Sequence, residues 1–136
     1  MASPTSAVET AGAAPQPVIL VVDDEVLVRL PIADHLRDVG FTVVEAANAG
    51  EALEVIASDA PVDLVFTDHN MPGEMDGCAL ADWLASHRPT LPVILTSGGA
   101  DVLRTAVARG ARFIAKPYAV LEVERQIRRL LGPAPG

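Results

Sequence analysis

Residues 18–25 read VILVVDDE. The first five are wholly apolar, and four of them are β-branched, which suits a strand buried on both faces. Three acids follow at once: Asp23, Asp24 and Glu25. After them, apolar residues recur at 26, 27, 30, 33, 36 and 39, a helical spacing, and Gly40 ends the pattern. A buried strand, a polar turn and then a helix make one unit of a parallel sheet covered by helices.

The rest of the chain repeats that unit. Thr42–Glu45 is a second strand, and Ala49–Ala57 a helix capped by Asn48. Pro61 breaks the chain before a third strand, Asp63–Thr67. Cys78–Ser86 is a third helix, Pro92–Thr96 a fourth strand, and Asp101–Arg109 a fourth helix closed by Gly110. Arg112–Ala115 is a fifth strand and Val120–Leu131 a fifth helix. Five such units predict an α/β fold with a mostly parallel sheet and right-handed crossovers. One conflict is local. Pro31 lies inside the first helix, where it removes a hydrogen bond and costs about 3 kcal/mol, so a kink with the sheet-facing stripe preserved is expected.

Composition agrees with one domain. The chain has 136 residues, half of them apolar, and aromatics make up only 4%, so Val, Leu, Ile and Ala must build the core. The formal charge is −8, from 18 acids and 10 bases, which argues against nucleic acid as a direct partner. Cys78 is the only cysteine, so no internal disulfide can form. Residues 1–17 lack periodicity and carry three prolines; they are expected to be a flexible tail, as are residues 132–136, with the ordered unit at 18–131. No basic, apolar leader or membrane-length apolar run is visible, so a cytoplasmic protein is expected.

In open parallel sheets, ligands sit beyond the carboxyl ends of the strands. Asp23, Asp24 and Glu25 follow the first strand, Asp68 the third, Ser97 the fourth and Lys116 the fifth. Clustered carboxylates repel one another, and a divalent cation such as Mg²⁺ relieves that repulsion. A carboxylate beside such an ion can attack phosphorus to give an acyl phosphate, with an ammonium and a hydroxyl neutralising the transferred oxygens. Singly, each residue is ordinary: a double Asp caps turns, Lys116 would be a solvated charge, and Ser97 a turn residue. Their joint position at the strand ends points to phosphoryl transfer.

The strings VVDDE, DLVFTDHNMPGEMDG, PVILTSGG and FIAKPY, in this order, resemble the receiver domain of two-component response regulators. The resemblance runs from about Val18 to Leu131. It implies a flavodoxin-like (βα)5 doubly wound fold, a five-stranded parallel sheet of order 2-1-3-4-5 with helices on both faces. It implies Asp68 as phosphoacceptor, and Asp23, Asp24, Asp68 and the Asn70 backbone carbonyl around Mg²⁺, with Mn²⁺ able to substitute. Lys116, before a cis Pro117, is the implied phosphate-contacting lysine. Ser97, rather than the adjacent Thr96, is the implied hydroxyl, and Phe113 the implied aromatic switch.

Partners follow from the same likeness: a sensor histidine kinase or histidine phosphotransfer protein, and a downstream protein target. A monomer or weak homodimer is expected. Two departures stand out. MPGEMDG is one residue longer than the common pattern, and the stretch from Gly98 to Gly110 is short. Gly99 leaves the acyl phosphate unshielded, so an ordinary lifetime is expected.

Other residues invite roles that packing explains. His35 and His87 are expected as surface helix residues; for His69, beside Asp68, a place on the site rim is the lesser expectation. Cys78 and Trp83 are expected to pack, and Arg125, Arg128 and Arg129 to complement the last helix's dipole. The expected protein is not an enzyme beyond its own phosphorylation and dephosphorylation: a stand-alone receiver acting by protein contact, or a phosphate sink or relay intermediate. An aspartate-nucleophile phosphatase would need an acid where Asn70 stands. A flavin-binding protein would need Gly, Ser and Thr where Asp23, Asp24 and Glu25 stand.

Overall fold

The computed structural model describes residues 16–98 and 111–132. Within them, β1 (Val18–Val22), β2 (Thr42–Ala46), β3 (Leu64–Asp68), β4 (Val93–Ser97) and β5 (Arg112–Ala115) form one parallel sheet in the order β2-β1-β3-β4-β5. The helices are α1 (Val26–Asp38), α2 (Ala49–Ala57), α3 (Gly77–His87) and α4 (Val120–Leu131). The helix expected over Asp101–Arg109 and Gly99 lie outside the described residues, as do most of the expected tails.

Strand alternation sorts the core into two layers. Ile19, Val21, Leu64, Phe66, Ile94 and Ile114 face α1 and α4, where Ile32, Leu36, Val123 and Ile127 meet them. Leu20, Val22 and Val65 face α2 and α3, against Ala52, Ile56, Leu80 and Leu84. Each such Ile or Leu, fully buried, contributes about 1.5–3 kcal/mol. Cys78 packs beneath Leu95 on that second side, and Trp83 packs at its margin and stacks on His87 at 4.1 Å. Packing, as expected, accounts for both.

Local chemistry fixes the helix starts. The Asn48 side chain accepts the Glu51 N–H at 2.8 Å, while the Glu51 carboxylate accepts the Ala47 N–H at 2.7 Å, a reciprocal cap on α2. The Asp76 carboxylate accepts the Ala79 N–H at 2.9 Å and opens α3. Gly73, in the lengthened loop between β3 and α3, has φ of 102°, a conformation that favours glycine.

Three expectations need correction. α1 runs through Pro31 as a single element, but its buried stripe is Ile32, Ala33 and Leu36. Val26, Leu27 and Leu30 are exposed, Leu27 by 87%; together with Pro31, Leu27 borders a surface groove shared with Pro117 and Tyr118. Second, β3 and β4 each end one residue later than predicted, so Asp68 and Ser97 are the last strand residues rather than the first loop residues. Third, His35 is not a free surface residue: its Nε2 lies 2.9 Å from Glu124 Oε1 and ties α1 to α4. Arg128 joins that seam, bonding Glu124 at 3.0 Å and lying over the Phe41 ring.

Candidate functional site

The face that carries Val21, Phe66, Ile94 and Ile114 continues, two residues on, to Asp23, Asp68, Thr96 and Lys116. Alternation thus delivers four polar residues from four strands to one face at the carboxyl edge. Asp23, Asp24 and Asp68 present carboxylate oxygens all within 4.8 Å of one another. Asp23 and Asp68 are buried, and Asp24 is exposed. Lys116 Nζ lies 3.0 Å from Asp68 Oδ1 and 3.7 Å from Asp23 Oδ2. Among the described residues, one cation therefore faces three acids.

The imbalance appears in the charge energetics. Burial pushes the Asp23 carboxyl above its ordinary range, and the Asp68 and Asp24 charges add to it, against the Glu25 N–H and Lys116. Burial works against the Lys116 charge, but the Asp68 and Asp23 carboxylates hold that ammonium above the usual lysine range. Tyr118, edge-on to Phe66 at 5.5 Å, is pushed up to about 12 by burial and by the same two acids. Its phenol stays neutral at physiological pH.

Backbone bonds set the frame. The Asp23 N–H donates to Ala46 at 3.1 Å, and the Glu25 N–H to Asp23 Oδ1 at 2.9 Å. Arg29 Nη1 donates to the Asp23 carbonyl at 2.6 Å. The His69 N–H bonds the Thr96 carbonyl at 2.9 Å, and the Lys116 N–H bonds the Ser97 carbonyl at 3.0 Å. The Lys116–Pro117 peptide is cis, as expected. Asp68 Oδ1 has the Lys116 charge beside it but no donor in hydrogen-bond alignment. A buried carboxylate oxygen with spare acceptor capacity, among oxygens of two further acids, fits a divalent cation.

Ser97 is buried at the end of β4 and pairs in register with Ala115; Leu95 pairs with Phe113. Ser97 and Phe113 therefore project from the sheet face opposite Asp68 and Thr96. Asn70 is exposed in the loop two residues past Asp68. His69 is partly buried at the rim, 3.6 Å from Asp76. Glu25 lends its N–H to Asp23.

Two functional positions escaped the sequence reading. A Cβ on Gly77 would strike the Asp68 carbonyl oxygen and come within 2.8 Å of His69 Cα, so only glycine lets α3 start this close to Asp68. Its N–H also bonds the His69 carbonyl at 2.9 Å. The position of Gly77 in the string MDG marked it, but its role depends on where the loop returns. Arg29 sits on the polar face of α1, and nothing in the sequence pairs it with Asp23.

The comparisons with known proteins agree with this geometry. The family described as response regulator receiver domain matches residues 19–128. The C4-dicarboxylate transport transcriptional regulatory protein DctD of Rhizobium meliloti is 37% identical over 83% of this chain and 25% of its own length. The chain spans about a quarter of the length of several such curated relatives. The probable chemotaxis protein CheY of Rhizobium etli is 33% identical over 84% of this chain and 92% of its own. Among solved structures, the receiver domain of NtrX from Brucella abortus superposes with a TM-score of 0.75 at 41% identity, covering 83% of this chain and 97% of that one. A receiver domain protein from Clostridium thermocellum gives 0.79 at 26% identity, over 85% and 94%. Sheet order, acid cluster and sequence likeness converge: this chain belongs to the response regulator receiver domain family.

Proposed function

We propose that this receiver accepts a phosphoryl group on Asp68 from a phosphohistidine of a sensor histidine kinase or histidine phosphotransfer protein. The observation that carries the reading is Lys116 Nζ 3.0 Å from the buried Asp68, with Asp23 and Asp24 oxygens within 4.8 Å of it. An Asp68 carboxylate oxygen attacks phosphorus, the P–N bond breaks, and its electron pair leaves with the donor imidazole, which takes up a proton. Lys116 balances charge on the transferred oxygens. Asp23, Asp24, Asp68 and the Asn70 carbonyl would hold Mg²⁺, or Mn²⁺ in its place, which supplies further charge neutralisation when bound. Ser97, the last residue of β4, would reach a phosphoryl oxygen over the carboxyl edge of the sheet from the face opposite Asp68, and Phe113, on the Ser97 face, would respond to its movement.

The output is then contact with a protein target, as fits a net charge of −8, and the setting cytoplasmic. Among the described residues no helix is long and apolar enough to cross a membrane. The test is labelling with phosphoramidate and Mg²⁺ followed by intact-mass measurement. One phosphoryl group should be gained, and none in Asp68→Asn or after chelation of the metal. Labelling that persists in Asp68→Asn would overturn the reading.

A further inference from the structure

Among the described residues, two buried side-chain polar atoms have no aligned hydrogen-bond partner: Asp68 Oδ1, which has the Lys116 ammonium beside it at 3.0 Å, and Thr96 Oγ1. They belong to register neighbours, since Asp68 of β3 pairs with Thr96 of β4. Paired residues of a parallel ladder project from the same face, here the face of Phe66 and Ile94 one step earlier. Adjacent strands lie about 4.8 Å apart, a gap that a hydroxyl and a carboxylate close with one hydrogen bond. Their chemistries are complementary: an ionised carboxylate only accepts, and a threonine hydroxyl can donate. Thr96 is 0% exposed, and leaving a buried hydroxyl unpaired is costly. Packing alone does not call for a hydroxyl either, because a valine has nearly the same shape.

We infer that Thr96 is a second hydroxyl of the site, distinct from Ser97, which donates to Asp68 Oδ1 from the flank of β4. The bond requires the Thr96 hydroxyl to turn toward β3. Thr96 then acts as a positioning residue. It fixes Oδ1 toward the sheet, so that the other carboxylate oxygen is presented to phosphorus. Ser97 cannot do this, because it projects from the opposite face with Phe113. The contact stands on burial and register; its consequence for labelling rests on the phosphoacceptor reading.

A double-mutant cycle tests the contact without any phosphoryl chemistry. Urea melts of the metal-free protein compare wild type, Thr96→Val, Asp68→Ala and the pair. Thr96→Val is expected to destabilise the wild type but to stabilise Asp68→Ala, where the hydroxyl has lost its acceptor. The coupling should amount to roughly five- to tenfold in the unfolding equilibrium. Equal effects in both backgrounds would overturn the inference. Phosphoramidate labelling tests the consequence: Thr96→Val should slow it roughly fivefold, and Thr96→Ser should return it to within about twofold of wild type. A Thr96→Val rate equal to wild type would overturn the positioning role. Absence of labelling in the wild type would sink the phosphoacceptor reading instead, leaving the cycle to decide the contact.

Discussion

Arg29 touches two acids and treats them differently. Its Nε pairs with the Glu45 carboxylate at 2.9 Å, while its Nη1 bonds only the backbone carbonyl of Asp23. Glu45 gains a second guanidinium, Arg37, at 3.0 Å. Burial pushes the Glu45 carboxyl up, but the Arg29 and Arg37 bonds and charges outweigh it and hold it below its ordinary range. Asp23, beside two other acids and one lysine, goes the other way. Two acids that share one arginine thus end on opposite sides of the ordinary carboxylate value. A carboxylate supplied with cations is a strut, whereas one left short of them is a site.

The sharpest way to break this contrast is to remove the single cation. Lys116→Ala leaves two buried acids uncompensated, so the metal-free protein should lose about 2–3 kcal/mol in a urea melt. Labelling of Asp68 should slow about 100-fold. Added Mg²⁺ should recover part of the stability, and an unchanged melt would end the idea of an undersupplied site.

Glu45→Gln should cost less, about 1–2 kcal/mol, by leaving Arg29 and Arg37 without their carboxylate. Labelling should stay within about twofold of wild type. The pH response carries a sign. Glu45 gives up its proton more readily when folded, so its stabilisation is present above the unfolded value of 4.5 and lost as pH falls through the lower folded value. Denaturation midpoints across that acid range should fall less steeply in Glu45→Gln than in wild type.

The smallest effect should run in the stabilising direction. Asp23 holds its proton more tightly when folded, so its contribution is present below 3.8 and lost as pH rises through the folded value. Asp23→Asn should therefore raise metal-free stability near pH 7 by on the order of 1 kcal/mol. It should also shrink the rise in Tm that Mg²⁺ produces. A drop in metal-free stability would reverse the assignment.

The strands were largely legible because a continuous β-branched run has few other uses. VILVV and RFIA were bounded correctly, and Asn48 announced α2 through its cap. β3 and β4 were cut short because hydropathy stops at Thr67 and Thr96, although the ladder continues to Asp68 and Ser97. Apolar spacing misled at the start of α1, since Val26 and Leu27 match the stripe in period but are exposed. His35 was misread because its partner, Glu124, lies on a helix at the far end of the chain. Of the site, the residue types and their strand ends were readable. The Arg29 bond, the Gly77 approach and the unpaired Thr96 hydroxyl depend on register and loop return, which no local pattern encodes.

One dipeptide sets the spacing of the charged pair. The carbonyls of Thr96 and Ser97 receive the N–H groups of His69 and Lys116, so β4 is a fixed-length spacer between acceptor strand and lysine strand. Two peptide bonds, rather than any helix, gauge how far the ammonium stands from Asp68. A change elsewhere in the chain that leaves these two hydrogen bonds intact should therefore leave the distance between acceptor and ammonium unchanged.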